Sequence, residues 1–407
     1  MIGDKKYWIR SGLLTFLERL SGLALGFGTA ILLFRQLTHS EFGVWVLFLT
    51  VVAILEVGRA GLLQNALVKY LSTAKSEGEY RAVMTASWAL HGLLALLLCG
   101  VFLAFAQTLA RFLDAPTMGG LFEIYALTTV VLTFFFQFNF VQQANLDFRG
   151  IFWSNLVRQG TLFGFVLQQF LSGDRIWLPE LAWAQLAGAV LGGLTGLVFA
   201  APYLRFGFPV RWSWVGRLFG FGKYVLGTNL STMVYKSIDK MMLGTLPGVG
   251  PAAVALYEAA IKVSNLADVP TLAMASVVFP KSARSSGDGN GNGQVRLLYE
   301  KSVGASLALL LPAVVLVWVF AEPVVLLLAG PQYADAAPVL RVTIFFGLFM
   351  PFAVLFGTVL DSIGKPRINF WFTLGGMALN VVSNYFFILR FGVMGAAYGT
   401  LLTYAVA

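Results

Sequence analysis

The chain has 407 residues, of which 58% are hydrophobic and only 12% are charged. A mean hydropathy of +0.78, with a charged fraction far below the soluble average of about 25%, excludes an ordinary soluble domain. The single cysteine, Cys99, excludes a disulfide framework, and the two histidines, His39 and His91, lack the spacing of metal ligands.

Apolar runs of about 20 residues follow one another along the chain, which is the length that a helix needs to cross a bilayer. The runs lack the alternating pattern of a membrane β-barrel, so we predict helices, whose backbone groups pair within their own segment. The sequence therefore predicts an all-α integral membrane protein with about 12 transmembrane helices, at residues 12–34, 43–67, 83–106, 119–141, 151–171, 179–201, 222–246, 252–280, 302–320, 337–360, 368–389 and 393–407.

A short pattern occurs once in each half of the chain, at a shift of 214 residues. Its members are Leu146-Asp147, Gly150 and Asn155 in the first copy, and Leu360-Asp361, Gly364 and Asn369 in the second. Six spans in each half would make both halves enter the membrane from the same side, as two parallel six-helix bundles. We predict an N-terminal lobe at 1–202, a basic cytoplasmic linker at 203–217 and a C-terminal lobe at 218–407. We expect the last helix to be truncated, because its counterpart in the first half predicts an end near residue 415.

The basic residues are distributed unequally between the two sides of the predicted membrane. The N-terminus and alternate loops hold 18 of the 28 lysines and arginines, whereas the opposite loops hold five. The positive-inside rule therefore places the N-terminus in the cytoplasm. The high pI of about 9.6 then reports topology, so we expect membrane lipids and no nucleic acid as partners.

Five basic residues remain inside the predicted spans, where ionisable groups are costly and usually face a protein interior or an aqueous cavity. All five lie in the first two spans of either half: Arg19, Arg59, Lys236, Lys240 and Lys262. Acids lie nearby in the same spans, so one interpretation is mutual neutralisation between packed helices. The other is a hydrated cavity whose cations bind an anionic ligand, and we favour it for the set as a whole.

Span 11 carries Asn380 and Asn384, four residues apart and thus on one helix face. Their carboxamides suit either hydrogen bonds between packed helices or the oxygen ligands of a cation. The sequence leaves both interpretations open.

Several segments together resemble a known family in their order and spacing. They are Arg35-Gln36-Leu37 with Glu41-Phe42-Gly43, Phe221-Gly222-Lys223-Tyr224, Asp239-Lys240-Met241-Met242-Leu243-Gly244, Ala255-Leu256-Tyr257 with Phe279-Pro280, Gly330-Pro331-Gln332-Tyr333, and residues 392–400. Nearly the whole chain resembles the polysaccharide-exporting branch of the MOP superfamily, which comprises the O-antigen and repeat-unit flippases.

This resemblance implies two MATE-like lobes in a V shape that work by alternating access. The implied protein is a transporter and not an enzyme, and it acts in the bacterial cytoplasmic (inner) membrane with no cofactor. Its cargo would be an undecaprenyl-diphosphate-linked oligosaccharide repeat unit for surface polysaccharide biosynthesis, and polysaccharide polymerase machinery would be a partner. Transport would be coupled to Na⁺ or H⁺.

Similarity to lipid II flippases of this superfamily gives roles to five of the residues named above. It implies that Arg19 and Arg59 bind the diphosphate. It further implies that Asp239, together with Asn380 and Asn384, forms a site for the coupling ion.

Two alternatives remain. A multidrug or cation-coupled exporter of the same superfamily would use an acidic cavity for cationic drugs, and the five basic residues inside the spans count against it. A membrane polymerase or ligase of lipid-linked sugars would typically need a large external loop with catalytic residues, and the predicted external loops are short.

Overall fold

The computed structural model describes residues 5–285 and 291–406, and throughout these ranges the regular structure is helical. The first half of the chain forms long helices, each of which contains one predicted span. They are α1 (Lys5–Gln36), α2 (His39–Ser72), α3 (Glu77–Phe112), α4 (Met118–Ala144), α5 (Arg149–Ser172) and α6 (Leu178–Ala200).

The second half forms helices of more varied length. They are α7 (Trp212–Tyr235), α8 (Ile238–Thr245), α9 (Pro251–Ser264), α10 (Asp268–Ser285), α11 (Gly291–Val319), α12 (Ala321–Ala329), α13 (Ala336–Thr343), α14 (Phe346–Ser362), α15 (Pro366–Phe391) and α16 (Val393–Val406). The short helix α12 was not predicted from the sequence.

Three predicted spans are broken into two helices. Span 7 divides between α7 and α8, span 8 divides at the 3₁₀ turn Asn265–Ala267, and span 10 divides between α13 and α14. The break in span 8 has a physical cause, because Pro270 lacks the N–H that would bond to the carbonyl of residue 266. In transporters, such breaks often border a binding site.

Eight helices among the described residues are long and apolar enough to cross a membrane, judged by length and composition alone. The helices of predicted spans 5, 7, 8 and 12 do not meet that criterion. The helices α9 and α16 have only 14 residues each. The helix α7 carries Arg217 and Lys223, and α5 carries polar residues such as Asn155, Arg158 and Gln159. The number of twelve therefore stays a prediction.

The chain forms two compact units. Unit 1 comprises Met1–Leu37 and Phe48–Met233, and unit 2 comprises Thr38–Leu47 and Val234–Ala407. The start of α2 thus belongs to unit 2, and most of α7 belongs to unit 1. The division into lobes at 1–202 and 218–407 follows the predicted membrane topology and stays a prediction.

The core of unit 1 holds a group of aromatic rings that join α2, α3 and α4. The ring of Phe122 lies 5.6 Å from those of Phe48 and Phe102, and Tyr125 packs edge-on against both. Such pairs add about 0.5–1.5 kcal/mol each beyond the area that they bury. They fix the helices that carry the polar residues of this unit.

The core of unit 2 includes an aliphatic cluster formed by α10, α11 and α14. Val278, Val303 and Leu355 are buried within it. On the other helices of this unit, Tyr257 and Tyr333 are the largest fully buried side chains. The hydroxyl of Tyr257 belongs to the polar chain described below.

The turns after α4 and α14 correct the proposed repeat. Leu146-Asp147 lies in the turn after α4, whereas Leu360-Asp361 lies in the last turn of α14. The turn residues with positive φ are Leu146 (φ 58°) and Gly364 (φ 77°), which are 218 positions apart rather than 214. Both copies do lie where one helix ends and the next begins, but their matching letters do not occupy matching positions.

Candidate functional site

The pair Glu56 and Arg59 lies buried on α2 in unit 1. Nη2 of Arg59 is 2.6 Å from Oε2 of Glu56, and Arg59 also donates to the carbonyl of Thr129 and to the hydroxyl of Thr133. Thr129 in turn donates to the second carboxylate oxygen of Glu56. In this conformation, the charge of Arg59 is offset, and all three of its nitrogen atoms donate hydrogen bonds.

Arg19 has a different environment. Its side chain is exposed on α1 and forms no ion pair with the described residues. It lines a cavity of about 300 Å³ between α1, α2, α4 and α5. The other polar residues of the lining are Thr15, Glu18, Gln64, Asn139, Gln143 and Asn155. This cavity therefore offers an available cation among several carboxamides.

The polar residues that end α4 serve two purposes. Gln137 contacts His91 and donates to Ser87, and Gln142 donates to the carbonyl of Gly196, so these two side chains join helices within unit 1. Asn139 and Gln143 line the cavity beside Arg19. The amide oxygens of this second pair accept hydrogen bonds from Ser154 and Gln64, so a ligand there would find their NH₂ groups.

Arg158 is a half-buried basic residue that the sequence analysis missed. It was counted with the cytoplasmic loops, yet it lies near the middle of α5 and stacks on the ring of Phe135 at 5.1 Å. Its position inside the predicted span 151–171 was the available signal. Without Arg158, the predicted cytoplasmic side holds 17 basic residues against five, and the direction of the charge bias is unchanged.

A charge cluster in unit 2 joins α8, the second part of span 7, to α9, the first part of span 8. Nζ of Lys240 on α8 lies 3.2 Å from Oε2 of Glu258, and Nζ of Lys262 lies 3.7 Å from Oε1 of the same carboxylate. Two lysines therefore share one buried acid, and the buried carboxylate of Asp239 also interacts electrostatically with Lys240. Lys262 is the more accessible lysine, with 35% of its side chain exposed.

Lys236 lies in the break between α7 and α8 and is exposed. It interacts electrostatically with Asp268 at the start of α10, but no ion pair joins the two in the described structure. The breaks of spans 7 and 8 thus place a lysine and a carboxylate at adjacent helix ends, an arrangement that intact helices would not produce.

A chain of polar side chains connects the three residues predicted to form a coupling-ion site. Asp239 is buried and accepts a short hydrogen bond from the hydroxyl of Tyr257, and Thr400 is a further partner of that hydroxyl. Asn380 donates to Thr400 and accepts from Asn384. The structure therefore links α8, α9, α15 and α16 through these groups, and Tyr257 and Thr400 were missed from the sequence.

Asn384 adds an unsatisfied oxygen to this chain. Its Oδ1 atom is buried without a hydrogen-bond partner among the described residues and lies against Gly399. Carboxylate, carboxamide and hydroxyl oxygens are the ligands that hard cations prefer. Over the described residues, no group of three or more histidine, cysteine or acidic side chains could hold a metal ion.

Comparisons with known proteins agree with this architecture. A sequence profile of a family described as "Polysaccharide biosynthesis protein" matches residues 32–338. The chain is 25% identical over 398 residues to the probable low-salt glycan biosynthesis flippase Agl15 of Haloferax volcanii, covering 98% of this chain and 81% of the relative. It is 27% identical over 364 residues to the succinoglycan biosynthesis transport protein ExoT of Rhizobium meliloti, covering 88% and 70%.

Solved structures share the fold at low sequence identity. An inward-facing multidrug resistance MATE family transporter of the MOP superfamily matches with a TM-score of 0.80 and 17% identity, over 95% of this chain and 91% of that one. The lipid II flippase MurJ in its inward closed conformation matches with a TM-score of 0.79 and 13% identity, over 98% and 85%. The protein is therefore a multi-pass, all-α membrane protein with the MOP fold, and because the profile matches most of its length, the chain belongs to the polysaccharide biosynthesis protein family.

Proposed function

We propose that this protein is a flippase of glycan biosynthesis and that its cargo is a lipid-linked oligosaccharide. The family profile and the names of the two relatives support transport in polysaccharide or glycan biosynthesis. The finer assignment is an undecaprenyl-diphosphate-linked repeat unit, moved across a bacterial cytoplasmic membrane by alternating access. It implies a cytoplasmic N-terminus and polysaccharide polymerase machinery as a partner.

The observation that carries this proposal is the amide-lined cavity at Arg19. A diphosphate requires cationic donors, and sugar hydroxyls pair well with carboxamides, which both donate and accept hydrogen bonds. Arg19 offers an unpaired guanidinium beside Asn139, Gln143 and Asn155. A cationic drug would gain nothing from this arginine, so Arg19 supports the anionic cargo over the multidrug alternative, whereas Glu18 of the same lining does not distinguish them.

The other basic candidates differ in whether they are already paired with an acid. Lys236 is exposed and, like Arg19, forms no ion pair with the described residues, whereas Arg59, Lys240 and Lys262 are paired with buried acids. We infer that Arg19 makes the first contact with the diphosphate. The paired residues would contribute only in a conformation that releases them from Glu56 or Glu258, so that cargo binding shifts the conformational equilibrium.

The proposed coupling ion binds at Asp239, Asn380 and Asn384. The unsatisfied Oδ1 of Asn384 and the carboxylate of Asp239 favour Na⁺, while the hydrogen bond between Tyr257 and Asp239 offers a proton site instead. The variants D239N and N384L separate the two ions. For Na⁺ coupling, both variants lose Na⁺-stimulated flipping; for H⁺ coupling, only D239N loses stimulation by a pH gradient.

Flipping is tested in proteoliposomes that carry a fluorescent undecaprenyl-diphosphate oligosaccharide in both leaflets. Dithionite quenching measures exchange between leaflets, and R19A is expected to slow it at least tenfold, whereas R19K retains part of the rate. R111Q is the matched control because Arg111 is an exposed arginine outside the cavity. Export of a cationic dye without movement of the lipid would favour the multidrug exporter, and elongation of the oligosaccharide would favour the polymerase or ligase.

A further inference from the structure

A second cavity of about 300 Å³ lies inside unit 1, separate in its lining from the cavity at Arg19. It lies between the N-terminal halves of α2, α4 and α6 and the middle of α5. Its walls are apolar at Leu49, Val52, Ala53, Leu132 and Leu162, and polar at Tyr125, Thr128, Arg158, Gln159 and Gln185. Since a water molecule occupies about 30 Å³ of liquid, this space admits a small organic molecule.

Arg158 brings an uncompensated charge into this cavity. Glu18 and Glu56 interact with it electrostatically, but neither forms an ion pair with it, and Glu56 is already bound to Arg59. Its Nε atom is buried without a partner among the described residues. An arginine stays protonated in proteins, so it cannot avoid the cost of burial by losing its charge.

Gln185 adds an unpaired carboxamide to the same lining. Its Oε1 atom is buried without a partner, and no hydrogen bond of its amide group is found in the described structure. A hydroxyl group can donate a hydrogen bond to the oxygen of this carboxamide or accept one from its NH₂ group. The cavity lining therefore pairs one positive charge with one hydroxyl-binding group, and it contains no carboxylate.

We propose that this cavity binds a small hydroxylated monoanion, namely a carboxylate with a neighbouring hydroxyl group. The planar guanidinium of Arg158 matches a carboxylate in shape, and one cation balances one negative charge but not a phosphate dianion. Gln185 binds the hydroxyl, and the apolar wall contacts the carbon skeleton. Two sources share this chemistry: a free α-hydroxy acid and the uronic acid of a saccharide. The proposal does not depend on the lipid-linked cargo.

The test is thermal unfolding of the detergent-purified protein, titrated with anions at constant ionic strength. We expect glycolate or glucuronate to raise the unfolding midpoint in a saturable way, by about 2 °C or more, with a smaller effect of acetate and none of neutral methyl glucoside. Glycolate alone points to a free hydroxy acid, and glucuronate alone to a uronic acid residue. Equal shifts by all the salts and no saturation would overturn the proposal.

Variants assign the effect to the cavity. R158Q is expected to abolish the anion-dependent shift, Q185L to remove the preference for glycolate over acetate, and the surface control R111Q to keep both. If R158Q does not fold, R158K preserves the charge and should bind the same anions at least tenfold more weakly in titration calorimetry. An R158K protein that binds glycolate and acetate as tightly as the wild type would contradict the assigned role.

Discussion

At the scale of single residues, the main finding is that the basic residues inside the predicted spans differ in how they are paired. Arg59 has a carboxylate and two further acceptors within reach, whereas Arg19 and Lys236 have no ion pair in the described structure. The sequence could show only that acids lie three or four residues away from some of these bases. The geometry separates structural neutralisation from availability to a ligand.

Arg59 is expected to be needed for stability. The variant R59A leaves Glu56 buried without its partner, which typically costs about 3–5 kcal/mol, while E56Q/R59M removes both charges and restores most of the loss. Thermal unfolding of the purified variants measures this. An R59A protein that keeps its unfolding temperature but loses flipping would instead make Arg59 a cargo ligand.

The contribution of Asp147 to stability is expected to depend on pH. The hydrogen bonds that Arg149 donates to its carboxylate hold the pKa of Asp147 below its usual value, with burial acting in the opposite direction. Its stabilising contribution is therefore fully present above the ordinary aspartate pKa of about 3.9 and is lost as the pH falls through the lowered value.

The variant D147N tests this sign. It should unfold at a lower temperature than the wild type at pH 7, and the difference should shrink as the pH falls below about 4. D114N, at the turn that follows α3, is the control for removal of one loop carboxylate. A difference between D147N and the wild type that is constant from pH 7 to pH 3 would show that the Asp147 charge contributes nothing.

At the scale of helices, the close contact between α7 and α2 depends on Gly222. A Cβ atom at this position would lie 1.9 Å from the backbone carbonyl oxygen of Leu62, whereas a Cβ at Gly227 on the same helix meets nothing within 4 Å. We expect G222A to lower stability by about 1–3 kcal/mol through overpacking, and G227A to raise it by up to about 1 kcal/mol through helix propensity.

Thermal unfolding of G222A and G227A compares the two directly, because both variants add one methyl group to α7. If G222A is as stable as G227A, then α2 and α7 do not pack as closely as described. The pair thus separates a packing effect from the effect of glycine on helix formation.

The helical segments follow from apolar run length, so the sequence predicts a helix at every span. The breaks in spans 7, 8 and 10 were not predicted, because hydropathy is insensitive to where a backbone hydrogen bond fails. Proline alone does not predict such a break, because Pro312 lies within the continuous helix α11. The chain from Asp239 through Tyr257 and Thr400 to Asn380 also escaped prediction, because it joins residues far apart in sequence.

At the scale of the whole molecule, the positive-inside bias and the twelve predicted spans define a topology. The eight helices that qualify as spans by length and composition do not by themselves decide which loops share a side. The broken and more polar helices must also cross the membrane if the two halves are parallel. The location of the loops in cells is therefore the sharpest measure of the overall arrangement.

Single cysteines introduced into a C99S background test this topology. The twelve-span prediction places K75C, S213C and K365C in the cytoplasm, and D174C and Q332C outside. A membrane-impermeant maleimide should label the outer pair on intact cells and the inner three only after permeabilisation, because the basic loops stay on the cytoplasmic side. D174C also tests whether α5, which does not meet the length and composition criterion, crosses the membrane. If α5 did not cross, D174C would be labelled only after permeabilisation. The parallel arrangement of the two halves would then be wrong.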